Sequence, residues 1–313
     1  MPKSHRLALG AVIAGLLNVS AVAAPAATTA VAAVSASNPP VGSVVSAVQS
    51  PAWLVHGGTA TPLKPGMTVT DGDTLRTAAG GRVYLQLPEH STVKLGENTE
   101  FMTPGMQMAK DEQGSMFKGV LHLLKGVFRF TTSLVGHSER RHVDIQVGVA
   151  TIGVRGTDVW GRAGTDGSLV ALLEGKISMD MPGHQGMMME QPMHYMTVAA
   201  DGAGTKMGMD ATPDKVADWA AQTDVAPGTG VLSSDGKWAV ALMSSTSDDD
   251  VIDLTGKLAA AGYPSEDIQV MVKGKLWHRL VIEQVTTFKD GRALAAKVAK
   301  ISPLMSPWVY RPK

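Results

Sequence analysis

Residues 238–259, WAVALMSSTSDDDVIDLTGKLA, return forty positions later as HRLVIEQVTTFKDGRALAAKVA, residues 278–299, with no gap. Thr246, Asp250, Leu254, Lys257 and Ala259 recur as Thr286, Asp290, Leu294, Lys297 and Ala299. A repeat this short obliges the chain to use one supersecondary unit twice. Each copy opens with apolar residues at alternate positions, such as Val240 and Leu242 or Leu280 and Ile282, which is the period of a strand. Each then shifts to apolar spacings of three and four, as in Val251, Leu254 and Leu258 or Leu294, Val298 and Ile301, which is the period of a helix. The acidic run Asp248–Asp250 falls at a helix N-terminus, where it complements the helix dipole. DIQVMVKG (267–274) and PWVYRP (307–312) supply one further strand each. The predicted order is β-α-β-β-α-β, a small α+β split-βαβ (ferredoxin- or RNP-like) module over 237–313 with both helices on one side of its sheet.

Strand parity then says what the uncovered side of that sheet displays. With Leu280 and Ile282 toward the helices, Trp277, Arg279, Val281 and Glu283 face away; with Val309 toward the helices, Trp308 and Tyr310 face away. Exposed aromatic rings beside a guanidinium suit a ligand, because rings stack on sugars and the guanidinium forks onto hydroxyls or carboxylates. Packing of Trp308 and Tyr310 along a sheet edge is the other reading.

Upstream, residues 41–200 alternate in a different way. RVYLQL (82–87), STVKL (91–95), VFRF (127–130), HVDIQV (142–147) and SLVALLEGKISM (168–179) are short apolar-alternating runs. Glycine-rich turns separate them, and so many short strands predict an all-β unit. Residues 201–236 read as a short helix, TPDKVADWAAQ, capped by Thr212 with Pro213 in its first turn, followed by a linker rich in Gly, Pro and Ser. Val216 and Trp219 fall on the face of that helix expected to pack on the β unit.

The N-terminus predicts export. Lys3 and Arg6 precede the apolar LALGAVIAGLL (7–17), and Ala21-Val22-Ala23 offers a small-x-small cleavage site, so 1–23 reads as a signal peptide. Residues 24–40 are small and end in Pro39-Pro40, which describes a flexible tether. A periplasmic location follows as an expectation, and no later segment is apolar enough to span a membrane. The chain has no cysteine, which excludes disulfides, thiol catalysis and a lipoprotein anchor. Twenty-eight basic residues balance 28 acidic ones, so the counterion-releasing surface that nucleic acids require is missing.

Two stretches carry family resemblances. WAVAL, GKLAAAGY and HRLVI, with the repeat, resemble the SPOR domain over roughly 237–311. That family implies binding to peptidoglycan glycan strands stripped of stem peptides, commonly at cell-division sites. Arg279 matches its Arg-Val motif; Ala241, Met243 and Ser245, and the pair Glu283-Gln284, depart from its usual residues. The resemblance makes Trp277, Arg279, Trp308, Tyr310, Met243 and Gln284 the candidate glycan-binding set. PGMTVTDGDTLRTAAGGRVYLQLPEHSTVKLGENTEF (65–101) and VATIGVRGTDVWGRAGTDGSLVALLEGKISM (149–179) resemble the FecR domain, with Gly72-Asp73, VRGTDV (154–159) and LEGKI (173–177) as its markers. That resemblance implies a β-solenoid-like or sandwich-like unit with a protein-binding role. The best-known members are transmembrane regulators that pass a siderophore signal to a sigma factor; the signal peptide here stands where their cytosolic segment and membrane helix would be. Contact with an outer-membrane receptor is the corresponding alternative function. Arg155 is the candidate partner-contacting residue, or else the partner of Asp158 or Glu174 in a structural ion pair.

GHQGMMMEQPMHYM (183–196) offers soft ligands for Cu(I) in His184, Met187, Met188, Met189, Met193 and His194. A hairpin of unusual composition is the plainer reading, since MTPGMQM (102–108) and TKMGM (205–209) are also rich in methionine. No nucleophile elbow, P-loop, HExxH or dinucleotide glycine pattern occurs, and histidines such as His56, His90 and His122 are scattered. The expected protein is a non-catalytic envelope protein without a cofactor.

Overall fold

The computed structural model describes residues 42–111, 114–133, 140–202 and 204–312. The signal peptide assigned to 1–23 and the tether assigned to 24–40 lie outside them. The described chain is dominated by β-strands, with three helices among the described residues.

Two sheets build the larger part. In neighbour order, one runs through Thr59–Pro62, Ala52–His56, Asp73–Thr77, Glu100–Asp111, the first part of Gly114–Thr131, Arg140–Val147, Ala150–Val154, Ile177–Met181 and His184–Met189. The other runs through Thr68–Val69, Ser43–Gln49, Arg82–Gln86, Thr92–Leu95, the last part of Gly114–Thr131, Asp158–Gly164, Gly167–Glu174, His194–Val198 and Thr205–Asp210. Pairing is antiparallel throughout, except between Gly114–Thr131 and Arg140–Val147. The long strand Gly114–Thr131 belongs to both sheets and passes from one to the other at Gly126, whose φ of +93° suits glycine and whose Cβ position is filled by Thr99. The strict alternation read in the sequence explains the core. Val83 and Leu85 from one sheet meet Leu75, Phe101, Val143, Ile145 and Ile152 from the other in one apolar interior, a sandwich-like arrangement.

The helix Pro213–Thr223 forms with Thr212 as its cap, the Thr212 hydroxyl accepting from the Lys215 N–H at 3.3 Å. It docks through Trp219, stacked on Trp160 at 5.1 Å between ring centroids, with Tyr195 edge-on at 5.6 Å.

The C-terminal strands lie in the order Trp308–Tyr310, Trp238–Ser245, Lys275–Val285, Glu266–Val272, each antiparallel to its neighbour. The helices Asp248–Ala260 and Phe288–Val298 bury Val251, Leu254, Leu258, Leu294 and Val298 in one core with Val240, Leu242, Leu280 and Ile282. The repeat is visible in the caps as well. Ser247 accepts from Asp250 N–H at 3.3 Å, and Thr287 accepts from Asp290 N–H at 3.1 Å.

The stretch read as a linker has more structure than its composition implies. Val231–Ser233 is a strand that pairs with Ala47–Gln49 on one side and, through Leu232, with Val285 on the other. It stitches the sandwich to the C-terminal sheet. Trp53 adds a second tie, donating from its indole N–H to the Ala259 carbonyl at 3.0 Å, and Lys64 pairs with Glu266 at 2.6 Å.

Candidate functional site

The VRGTDV turn joins the ends of Ala150–Val154 and Asp158–Gly164, and nearly every residue in it is committed to the fold. Gly156 has φ +69° and Gly175, of LEGKI, has φ +84°. A Cβ on Gly175 would land on the Gly156 carbonyl oxygen, so the two glycines allow the turn and the adjoining strand to touch. Thr157 is buried and exchanges hydrogen bonds with Thr132, donating its N–H to the Thr132 hydroxyl at 3.0 Å and accepting the Thr132 N–H at 2.9 Å. Asp158 accepts two hydrogen bonds from Arg129, Nε at 2.9 Å and Nη2 at 2.6 Å. This corrects one sequence expectation: Arg129, not Arg155, is the partner of Asp158. The Asp158 hydrogen bonds raise the already high pKa of Arg129, against the opposing effect of burial. Arg155 is exposed, and it makes no hydrogen bond or ion pair among the described residues.

Arg155 instead stands over a groove of about 1040 Å³ that Arg140, Arg141, His142 and Lys176 also line. The sequence reading missed these four. The run Arg140-Arg141-His142, placed just ahead of a clear strand, was the signal that could have found them.

On the C-terminal sheet, parity holds at its edge. Val309 lies against the helix, where a Cβ on Gly291 would meet it, while Trp308 on the other side is 43% exposed. Trp277 is 37% exposed, and the Arg279 guanidinium lies 5.8 Å from the centre of the Trp308 ring, within cation–π range. Tyr310 is half-buried; burial raises the pKa of its phenol, and Glu283 nearby acts in the same direction. The face is not open across its whole width. Val281, expected to face solvent, is fully buried, and Lys64 lines a hollow beside it together with Glu266.

Met243 does not belong to this surface. The register slips between Ala241 and Met243, and the bulge turns Met243 into the core beside Leu280, leaving it 7% exposed. Gln284 is also set apart. It sits in a second bulge with φ +59°, half-buried, its backbone packed against Gly236 near Trp238.

His278 was not singled out in the sequence, yet it latches the hairpin that carries Trp277 and Arg279. Its ring is almost buried, with Nδ1 2.7 Å from Asp267 and Nε2 2.8 Å from Asp248 at the start of the first repeat helix. With both nitrogens facing carboxylates, the imidazolium is favoured. The hydrogen bond to Asp267 raises the pKa, with Asp248 adding to the effect against desolvation. A raised folded-state value means that the contribution of this latch is complete below about pH 6.5, the value for an unfolded histidine, and is lost as pH rises through the folded value. Amide exchange in Glu266–Val272, corrected for its intrinsic pH dependence, should therefore become less protected at pH 9 than at pH 6, and His278→Gln should remove that difference.

The methionine-rich segment splits between two faces. In His184–Met189, Met189 is buried and Met187 packs on the core, while Met188 points outward and is 56% exposed. Three consecutive methionines in a strand cannot share a side. Met193 occupies a tight turn with φ +65°, and His194 has its Nε2 2.9 Å from Asp210. A hollow of about 310 Å³ does bring His194 and Met188 together with Met207, from the second methionine cluster. Among the described residues there is no group of three or more histidines and carboxylates placed to hold a metal ion. Among them also, no helix is long and apolar enough to cross a membrane.

The FecR protein family model matches residues 73–178, which lie within the two-sheet sandwich. The match takes in both VRGTDV and LEGKI. Two crystal structures of a candidate anti-sigma factor from Parabacteroides distasonis ATCC 8503 are similar to parts of the chain. One has 17% identity and a TM-score of 0.38, covering 47% of this chain and 63% of that one. The other has 13% identity and a TM-score of 0.38, covering 65% of this chain and 96% of that one. The chain thus spans less than two thirds of the first structure's length. No curated protein matches it.

Proposed function

We propose that this chain is a non-catalytic, FecR-type regulatory or sensing module of the periplasm that acts by binding another protein through the surface around Arg155. One observation carries the reading: inside the FecR match, the VRGTDV turn spends Gly156, Thr157 and Asp158 on its own fold and leaves Arg155 exposed and unpartnered among the described residues. A side chain with no structural duty at the centre of a family motif is a reasonable contact for a partner. The test is a photo-crosslinking residue at position 155 in living cells, with position 252 as control, since Ile252 is 69% exposed on the C-terminal module. A discrete protein adduct from 155 and none from 252 is expected. No adduct, or the same adducts from both, would sink the reading.

A second reading, of the SPOR type, is favoured by the wet aromatic surface. Trp308, Trp277 and Arg279 are the residues that a glycan strand of peptidoglycan would cover, by stacking and forked hydrogen bonds. In co-sedimentation with purified sacculi, the full chain should pellet, and Trp308→Ala with Arg279→Ala should leave it in the supernatant. Failure of the unmodified chain to pellet, or equal pelleting of the variant, would remove this reading.

A further inference from the structure

We infer that the groove beneath Arg155 receives an acidic, extended segment of a partner protein, about four residues of it lying across the strand ends. The inference rests on the reading of this surface as a protein-binding site and names the chemistry that the site would select.

Charge is the first argument. The groove draws Arg140, Arg141 and His142 from the start of one strand, Arg155 from the turn after the next and Lys176 from the head of a third. Among the described residues, no aspartate or glutamate lines it. The whole chain has equal numbers of basic and acidic residues, so five basic side chains around one concavity are a local departure and not an echo of net charge. Carboxylates do stand at the rim: Asp144 lies 3.2 Å from His142, and Glu190 pairs with Lys176 at 2.9 Å. Arg141 reaches only the Ser91 hydroxyl, at 3.3 Å, and Arg155 reaches no described residue. These two guanidiniums have donors to spare for incoming carboxylates, in the forked geometry arginine favours.

Shape is the second. Arg140–Val147, Ala150–Val154, Ile177–Met181 and His184–Met189 are successive neighbours in the sheet. Three gaps of about 4.8 Å separate the first strand from the last, so the groove runs roughly 14 Å across them. An extended chain covers that span with about four residues at 3.3–3.6 Å each. The lining includes Gly156, where a Cβ would meet nothing within 4 Å and an incoming backbone can come close, and Met116, Val154 and Met188 supply apolar contacts between the cations. That mixture fits acidic residues interspersed with aliphatic ones. A concave site of this width does not fit a bilayer surface, which would need the cations on a convex or flat face.

The test uses the full chain and a fluorescent peptide of about eight residues in which Glu or Asp alternates with Leu or Val, followed by anisotropy. Saturable binding is expected, weakening as salt rises, with no binding of the counterpart in which Lys replaces every acid. Arg155→Glu and Arg141→Glu should each weaken it about tenfold or more; thermal unfolding should change little for Arg155→Glu, whose side chain is exposed, and more for Arg141→Glu, which is half-buried and gives up its bond to Ser91. No saturable binding, equal binding by the variants, or displacement of the probe by anionic lipid vesicles would overturn the inference. In cells, an excess of the acidic peptide should also suppress the adduct formed from position 155. An adduct that persists would overturn the acidic-segment inference and leave the partner reading standing. Peptide binding by the purified chain with no adduct in cells would uphold the chemistry of the groove and remove the partner reading.

Discussion

Asp158→Ala should destabilise the protein by about 3 kcal/mol, because it leaves the guanidinium of Arg129 in a largely enclosed position without its two-point partner. The Asp158 side chain is 12% exposed and that of Arg129 22%. Water can reach the orphaned cation in part, which keeps the expected loss at the low end of the range for broken buried pairs. For a domain of this size the change corresponds to a fall in unfolding temperature of roughly 6–12 °C. Calorimetry or denaturant titration of the purified chain reads it directly. The companion double variant Arg129→Met with Asp158→Leu removes both charges together and should recover much of the loss, since neither partner is left unmatched. If Asp158→Ala unfolds within about 1 kcal/mol of the unmodified chain, the pair is not what holds the turn. Arg155→Ala is the contrasting case: the side chain is exposed, makes no hydrogen bond or ion pair among the described residues, and its loss should change stability by no more than about 0.5 kcal/mol. The two substitutions, three positions apart in one motif, separate its structural half from the half exposed to a partner.

What could be read from the chain, and what could not, follows from the range of the interactions involved. The repeat at 238–299 exposed its strands and helices because their periods depend on residues two to four positions apart, such as Val240 with Leu242 and Leu254 with Leu258. The alternation at 82–87 and 142–147 was legible for the same reason. The side-chain direction of Trp308 and Val309 followed from simple parity. Parity failed at Met243 because a bulge inserts one residue and shifts the phase, and a bulge leaves no mark in the alternation of WAVALM. It misjudged the surroundings of Val281 because Lys64, more than two hundred residues earlier, lies beside it. The pairing of Asp158 with Arg129 rather than Arg155 is likewise a matter of strand register between segments far apart in sequence. The basic groove was invisible as a groove, since its walls come from five strands whose neighbour relations no local pattern encodes.

The same dependence on distance makes Asp290 the most consequential single carboxylate outside the sandwich. Its place in the repeat, matching Asp250, puts it only at the start of a helix, but its two oxygens do more. Oδ1 accepts the N–H groups of Gly228, Gly230 and Val231 at 2.7, 3.1 and 3.1 Å, and Oδ2 accepts the Thr287 hydroxyl at 2.6 Å. It thereby fastens the segment leading into Val231–Ser233, the strand that joins the sandwich to the C-terminal sheet. The side chain is 1% exposed. Asp290→Ala would leave these donors without a partner, and we expect a loss of about 4 kcal/mol. Asp290→Asn keeps an oxygen for the backbone donors and an amide that can donate to the Thr287 hydroxyl, so about half that loss is expected. Acid should distinguish the two forms further. Burial works against the charge on Asp290, yet the hydrogen bonds from Thr287, Val231, Gly230 and Gly228 outweigh it and hold the carboxyl below its usual range. A depressed folded-state value contributes stability that is fully present above the unfolded value, about 3.9, and is lost as pH falls through the folded one. Denaturant midpoints measured from pH 7 down to pH 3 should therefore fall more steeply for the native chain than for Asp290→Asn, so that the gap between them narrows in acid. A gap that stays constant over that range would mean that the charge of Asp290 contributes nothing and that its shape alone holds the joining strand.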